Sequence, residues 1–109
     1  MRRERLDQMV GGWFVGDFTP AALRTTAAEV CVKTYQRGDK EPQHYQRVAI
    51  EVTCILSGTA RMGSELLGPG DIIVLDPLDA YDFEALSDVT LVAFKTPSAP
   101  NDKVLGTPE

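Results

Sequence analysis

The 109-residue sequence contains one histidine, one tryptophan and two cysteines, and no apolar run approaches the roughly 18 residues that cross a bilayer. Cys31 and Cys54 stand alone in apolar surroundings without CxxC spacing, which predicts free, buried thiols rather than a disulfide. No Ser–His–Asp order can be read around the single His44, and neither cysteine pairs with it, so no nucleophile constellation is visible. The opening stretch Met1–Val10 carries charges where a signal peptide has an apolar core, so the expectation is a cytoplasmic protein with no membrane partner. Eleven basic side chains stand against 16 acidic ones, a net charge of -5. A nucleic-acid surface needs a basic stripe, and none is present, so no nucleic-acid partner is expected. Arg2, Arg3, Arg5 and Arg24 crowd the start, whereas residues 64–102 hold eight acids and Lys95 as their only base. That asymmetry argues against a highly anionic ligand beside the second half.

What is present is strand. The length suits one domain with one core. Ala28–Tyr35 alternates Val30, Val32 and Thr34 against Glu29, Cys31, Lys33 and Tyr35, a period of two with β-branched enrichment. Glu51–Ser57, Asp71–Leu75 and Val89–Lys95 are short apolar runs bounded by Gly, Pro, Asp or Ser. Breakers fall at Gly38-Asp39, Ser57-Gly58, Gly63-Ser64, Gly68-Pro69-Gly70 and Asp76-Pro77. Short strands separated by tight turns, with little helix, predict an all-β sandwich or barrel. Gly11–Phe18 packs Trp13, Phe14 and Phe18 between glycines and reads as an irregular segment or short strand over an apolar surface. Trp13 is the natural core or dimer anchor there. The prolines after Thr96 cannot continue a ladder, so the end is expected to be extended, frayed or draped on a partner. The chain divides accordingly into an arm over 1–27, partly strand and packing on the barrel or a partner, a barrel over 28–95 and an extended tail over 96–109.

The single His44 sits in Gly38-Asp39-Lys40-Glu41-Pro42-Gln43-His44-Tyr45-Gln46, with Glu51 and Gly58 following. In a strand His44 and Gln46 share a face, and Glu51 joins them only if the chain turns or bulges within Arg47–Ala49. The spacing resembles the first motif of the cupin superfamily: Gly, five residues, His-x-His, three or four residues, Glu, six residues, Gly. Gly38, His44, Glu51 and Gly58 match it, and Gln46 stands where the second His belongs. Gly70 through Tyr81 is similar to the second motif, Gly-Asp-x-x-x-x-Pro-Pro-Gly-x-x-His, with Asp76 for the first Pro, Leu78 for Gly and Tyr81 for His. The resemblance covers roughly residues 28–95 and implies a cupin-type double-stranded β-helix, or jelly-roll, barrel.

The resemblance also implies a site at the barrel mouth. Family members that bind iron, manganese, nickel or zinc present His, His, Glu and His, and this chain would present His44, Gln46, Glu51 and Tyr81. An amide oxygen and a phenol with a pKa near ~10 are weaker or costlier ligands than two imidazoles. Three functions follow: a metal-dependent oxygenase or isomerase acting on a small organic molecule, a non-catalytic barrel that binds a small ligand, and a metal-free nucleotide-sugar isomerase or epimerase. In the last, His44 serves as base and Tyr81 as acid on the opposite face of the substrate. Asp76, Asp79, Asp82 and Glu84 read as turn residues on a solvated rim. A barrel of this size leaves open edges and a thin core, which predicts a homodimer.

Overall fold

A computed structural model describes residues 1–109 as two facing, mostly antiparallel sheets with the core between them. The strands are β1 (Trp13–Gly16), β2 (Leu23–Arg24), β3 (Glu29–Tyr35), β4 (Lys40–Gln46), β5 (Ile50–Ser57) and β6 (Ala60–Met62), then β7 (Glu65–Leu67), β8 (Ile72–Leu75), β9 (Tyr81–Ala85), β10 (Val89–Thr96) and β11 (Lys103–Leu105). One sheet has six strands in the order β2-β1-β3-β10-β5-β8, the other five in the order β11-β4-β9-β6-β7. The only helical elements are two three-residue 3₁₀ turns at Leu6–Gln8 and Val10–Gly12, so no helix is long and apolar enough to cross a membrane.

The apolar runs at β3, β5, β8 and β10 form the strands their alternation predicts. Their inner members Cys31, Ile55, Val89, Leu91 and Ala93 meet Ala60, Leu67, Phe83 and Ala85 of the other sheet in one buried cluster. Glycine is required at Gly58, where φ is +86° and an added Cβ would lie 2.0 Å from the Asp88 carbonyl oxygen.

Three expectations change. The prolines after Thr96 end β10 but do not free the tail: β11 pairs with β4 of the same chain, and Asp102 is buried. Asp82 and Glu84 lie within β9 rather than in a turn, on its outer face, where Arg61 bridges them at 3.0 and 3.4 Å. Asp76 and Asp79 do form a turn, the Asp79 carboxylate accepting the Asp76 N–H at 2.9 Å. Cys31 and Cys54 are both free; Cys31 is fully buried and Cys54 half-buried.

Candidate ligand site in the barrel mouth

The inner face of β4 is set by a bulge. Glu41 pairs with Phe83 and His44 with Tyr81, so β4 spends three residues where β9 spends two. Without that extra residue Glu41 and His44, an odd number apart, would face opposite sides; the bulge at Pro42-Gln43 brings both inward. It also sets the Pro42 carbonyl 2.8 Å from His44 Nδ1. Because a carbonyl can only accept, the proton is assigned to Nδ1, leaving Nε2 as the basic atom.

The chain then turns at Arg47–Ala49 and crosses to the six-stranded sheet, where Glu51 faces the same interior from β5. His44, Glu51 and Tyr81 therefore line one cavity of ≈ 60 Å³. Gln46 does not: it is 5% exposed, lies outside the cavity lining, and its side-chain nitrogen is buried without a partner. Tyr81 is the cross-strand neighbour of His44 on the adjacent strand, rather than a group on the opposite wall.

The opposite wall carries residues that the single histidine drew attention away from. Tyr35 and Lys33 of β3 reach across to Glu41, the phenol donating at 2.9 Å and the ammonium at 3.3 Å, so one carboxylate ties the two sheets together. Burial pushes the Glu41 carboxyl up, but the Lys33 charge, the Tyr35 hydrogen bond and Lys103 together outweigh it and hold Glu41 below the ordinary carboxylate range. Burial, followed by the Glu41 charge and its hydrogen bond, raises the Tyr35 phenol well above its ordinary value. Lys95 and Lys103 also line the cavity, and neither has a carboxylate within ion-pairing distance. The Trp13 ring lies between two of these ammoniums, 5.6 Å from Lys33 Nζ and 4.8 Å from Lys95 Nζ. Trp13, Lys33, Lys95 and Lys103 line in addition an outer cleft of ≈ 350 Å³, together with Glu29 and an apolar wall of Val10, Phe18 and Pro20. They thus form a neck between an inner chamber and an open vestibule. A broader groove of ≈ 830 Å³ runs between the N-terminal arm and the β3–β4 end, but it is shallow and walled largely by exposed arm and turn residues.

No protein-family model matches the sequence, and no curated protein is similar to it at the level of sequence. Solved structures are similar in fold. An uncharacterized conserved protein with a double-stranded β-helix domain from Klebsiella pneumoniae superposes with a TM-score of 0.68 at 20% identity, over 77% of this chain and 74% of that one. The chain has a cupin fold. The DMSP lyase DddQ from Ruegeria pomeroyi gives a TM-score of 0.71 at 19% identity, over 89% of this chain and 51% of the lyase. Oxalate decarboxylase from Bacillus subtilis, which has Mn(II) centers, gives 0.62 at 15% identity over 73% and 24%.

The Mn(II) centers of that neighbour raise the question whether this chain's own residues fit a divalent ion. They do not fit it. No group of three or more His, Cys, Asp or Glu side chains converges anywhere in the fold. A cation placed in the chamber would meet the His44 imidazole and Glu51, with Glu41 already engaged by Lys33 and Tyr35, and would face the ammoniums of Lys33, Lys95 and Lys103. Like charges sharing a partly desolvated site repel, and this chain offers one imidazole where the metal-binding pattern has three.

Proposed function

We propose that this cupin binds a small organic acid in its barrel mouth without a resident metal, the carboxylate seated against Lys95 and Lys103 and the body of the molecule in the vestibule beside Trp13. The observation that carries the reading is the convergence of Lys33, Lys95 and Lys103 on a chamber whose other ionisable lining is His44, Tyr35, Tyr81, Glu41, Glu51 and Asp82, of which Glu41 is taken up by Lys33 and Asp82 by Arg61. Lys33 is already paired with Glu41; Lys95 and Lys103 have no carboxylate within ion-pairing distance, although Glu51 and Glu29 stand opposite Lys95 on the two neighbouring strands. A volume of ≈ 60 Å³ suits a group of carboxylate size, and the apolar wall of the vestibule suits a hydrocarbon or aromatic body. This differs from the metal-ligand set His44, Gln46, Glu51 and Tyr81 that the family resemblance implies. Elemental analysis of protein purified without chelator tests it: wild type and His44→Ala carry no stoichiometric metal, whereas one equivalent of metal in wild type, lost in His44→Ala, would contradict it.

A second reading adds chemistry to the same chamber. His44 Nε2 is free to take a proton from a carbon next to the bound carboxylate or a carbonyl, and the neighbouring Tyr81 phenol can return one. Because the two groups are neighbours on one sheet, the exchange would occur on one face of the ligand, unlike the opposite-face transfer expected of a His/Tyr epimerase. Solvent deuterium incorporated with retained configuration, and abolished in His44→Gln, is the expected result if this chemistry operates.

A further inference from the structure

A row of charge crosses the neck: Glu29 of β3, Lys95 of β10 and Glu51 of β5 are partners on three neighbouring strands. Glu51 lines the inner chamber, Glu29 lines the vestibule, and Lys95 lines both. Opposite charges side by side on adjacent strands ordinarily attract. Yet neither glutamate comes within ion-pairing distance of Lys95. Ser98 holds Glu29 back. Its hydroxyl oxygen accepts the Asp17 N–H at 2.9 Å, so its single proton is directed to Glu29 Oε2, 2.8 Å away. Ser98 is 6% exposed, and its own N–H is donated to the Thr26 carbonyl at 3.0 Å, which fixes the anchor. One oxygen of Glu29 is thereby pinned, and the other, Oε1, has no partner in the protein.

We propose that Glu29 determines which acids the site takes, by accepting a hydrogen bond from a hydroxyl on the body of the ligand. The preferred class is then hydroxylated monocarboxylic acids. This rests on the seating of the ligand carboxylate against Lys95 and Lys103 proposed above. Glu29 is the only acid lining the vestibule, and the one hydroxyl there, Thr19, already accepts Arg24 Nη1 at 3.1 Å. At neutral pH a carboxylate can only accept, so a purely apolar body would desolvate Oε1 and return nothing. A second carboxylate on the ligand would be repelled by Glu29. An ammonium would suit Glu29 but would enter beside Lys33, Lys95 and Lys103, three like charges against one opposite. A neutral hydroxyl supplies the missing donor and meets neither repulsion.

Isothermal titration with benzoate, 3- and 4-hydroxybenzoate, the matching methoxybenzoates and terephthalate tests the inference. At least one hydroxybenzoate binds wild type about tenfold more tightly than benzoate, whereas its methoxy counterpart and terephthalate bind no better than benzoate. Glu29→Gln supplies the deciding readout. The Ser98 proton then takes the amide oxygen, and the amide NH2 is turned toward the vestibule. The hydroxyl keeps no advantage over the methoxy oxygen in that variant, and terephthalate gains, a change of preference that a merely structural role for Glu29 would not produce. Glu29→Ala loses the hydroxyl preference without any gain for terephthalate. Benzoate binding that depends on Lys95 and Lys103, with no hydroxyl preference in wild type or an unchanged one in Glu29→Gln, would overturn the role of Glu29 and leave the carboxylate seat standing. No binding of any of these acids, or binding indifferent to Lys95→Met/Lys103→Met, would remove the seat and this inference with it.

Discussion

The side chain of Asp102 holds the backbone of Ala49: its Oδ2 accepts the Ala49 N–H at 2.9 Å, while Oδ1 accepts Arg47 at 3.0 Å and Val48 at 2.8 Å. A carboxylate from the tail thus caps the turn that carries the chain from His44 on one sheet to Glu51 on the other. Asp102→Ala leaves those N–H groups unpaired, one of them buried, and is expected to destabilise the fold by about 3 kcal/mol in chemical denaturation. Asp102→Asn keeps part of the cap and costs about half as much.

Glu41 links stability to acid. Its folded pKa lies below its ordinary 4.5, so the unfolded chain binds the proton more readily. The contribution is complete above that value and is lost as pH falls through the folded pKa. Urea midpoints measured from pH 6 downward should decline below about 4.5, and more shallowly in Glu41→Gln.

Cys31 governs the alkaline side. Burial raises its thiol from 9.0 to about 11, so the folded state resists ionisation that the unfolded chain allows. Stability is complete below 9.0 and falls as pH rises toward 11, by on the order of 2 kcal/mol. Tyr35, raised for the same first reason, adds a further decline above about 10. Cys31→Ala should remove the first part of that slope, and Tyr35→Phe the second.

Gly58 separates backbone geometry from the site. Ala there would need φ near +86° and would press a methyl onto the Asp88 carbonyl. Gly58→Ala should cost more than about 1 kcal/mol and lower the thermal midpoint, whereas Gly70→Ala, with open space around it, should cost about 1.

Much of the barrel was legible in the sequence. β3, β5, β8 and β10 carry β-branched apolar residues at alternate positions, and turn residues bound them. β4 and β9 were not, because Lys40, Asp82 and Glu84 put charged side chains on a wet outer face, Glu41 turns a charge inward, and the bulge at Pro42-Gln43 breaks the alternation. The motif spacing pointed to the region of His44 and Glu51, and both line the chamber. That Lys33, Tyr35, Glu41, Lys95 and Lys103 share one cavity escaped notice for a different reason. Which half of an alternating strand faces inward depends on what covers the other half, and in β3 the set Cys31, Lys33, Tyr35 faces in while Val30 and Val32 face out. The clue was that lysine and tyrosine share a parity with the fully buried Cys31. The acidic surplus of residues 64–102 does not describe the neck, which draws its cations from β3, β10 and β11 at once.

Isothermal titration with acetate, pyruvate, succinate and benzoate, in wild type and in Lys95→Met/Lys103→Met, tests the central claim most directly. At least one carboxylate should bind wild type without added metal, weaken as salt rises, and lose about tenfold or more in affinity in the double variant. Equal affinity in the two proteins, or binding that appears only when a divalent metal is supplied, would contradict it.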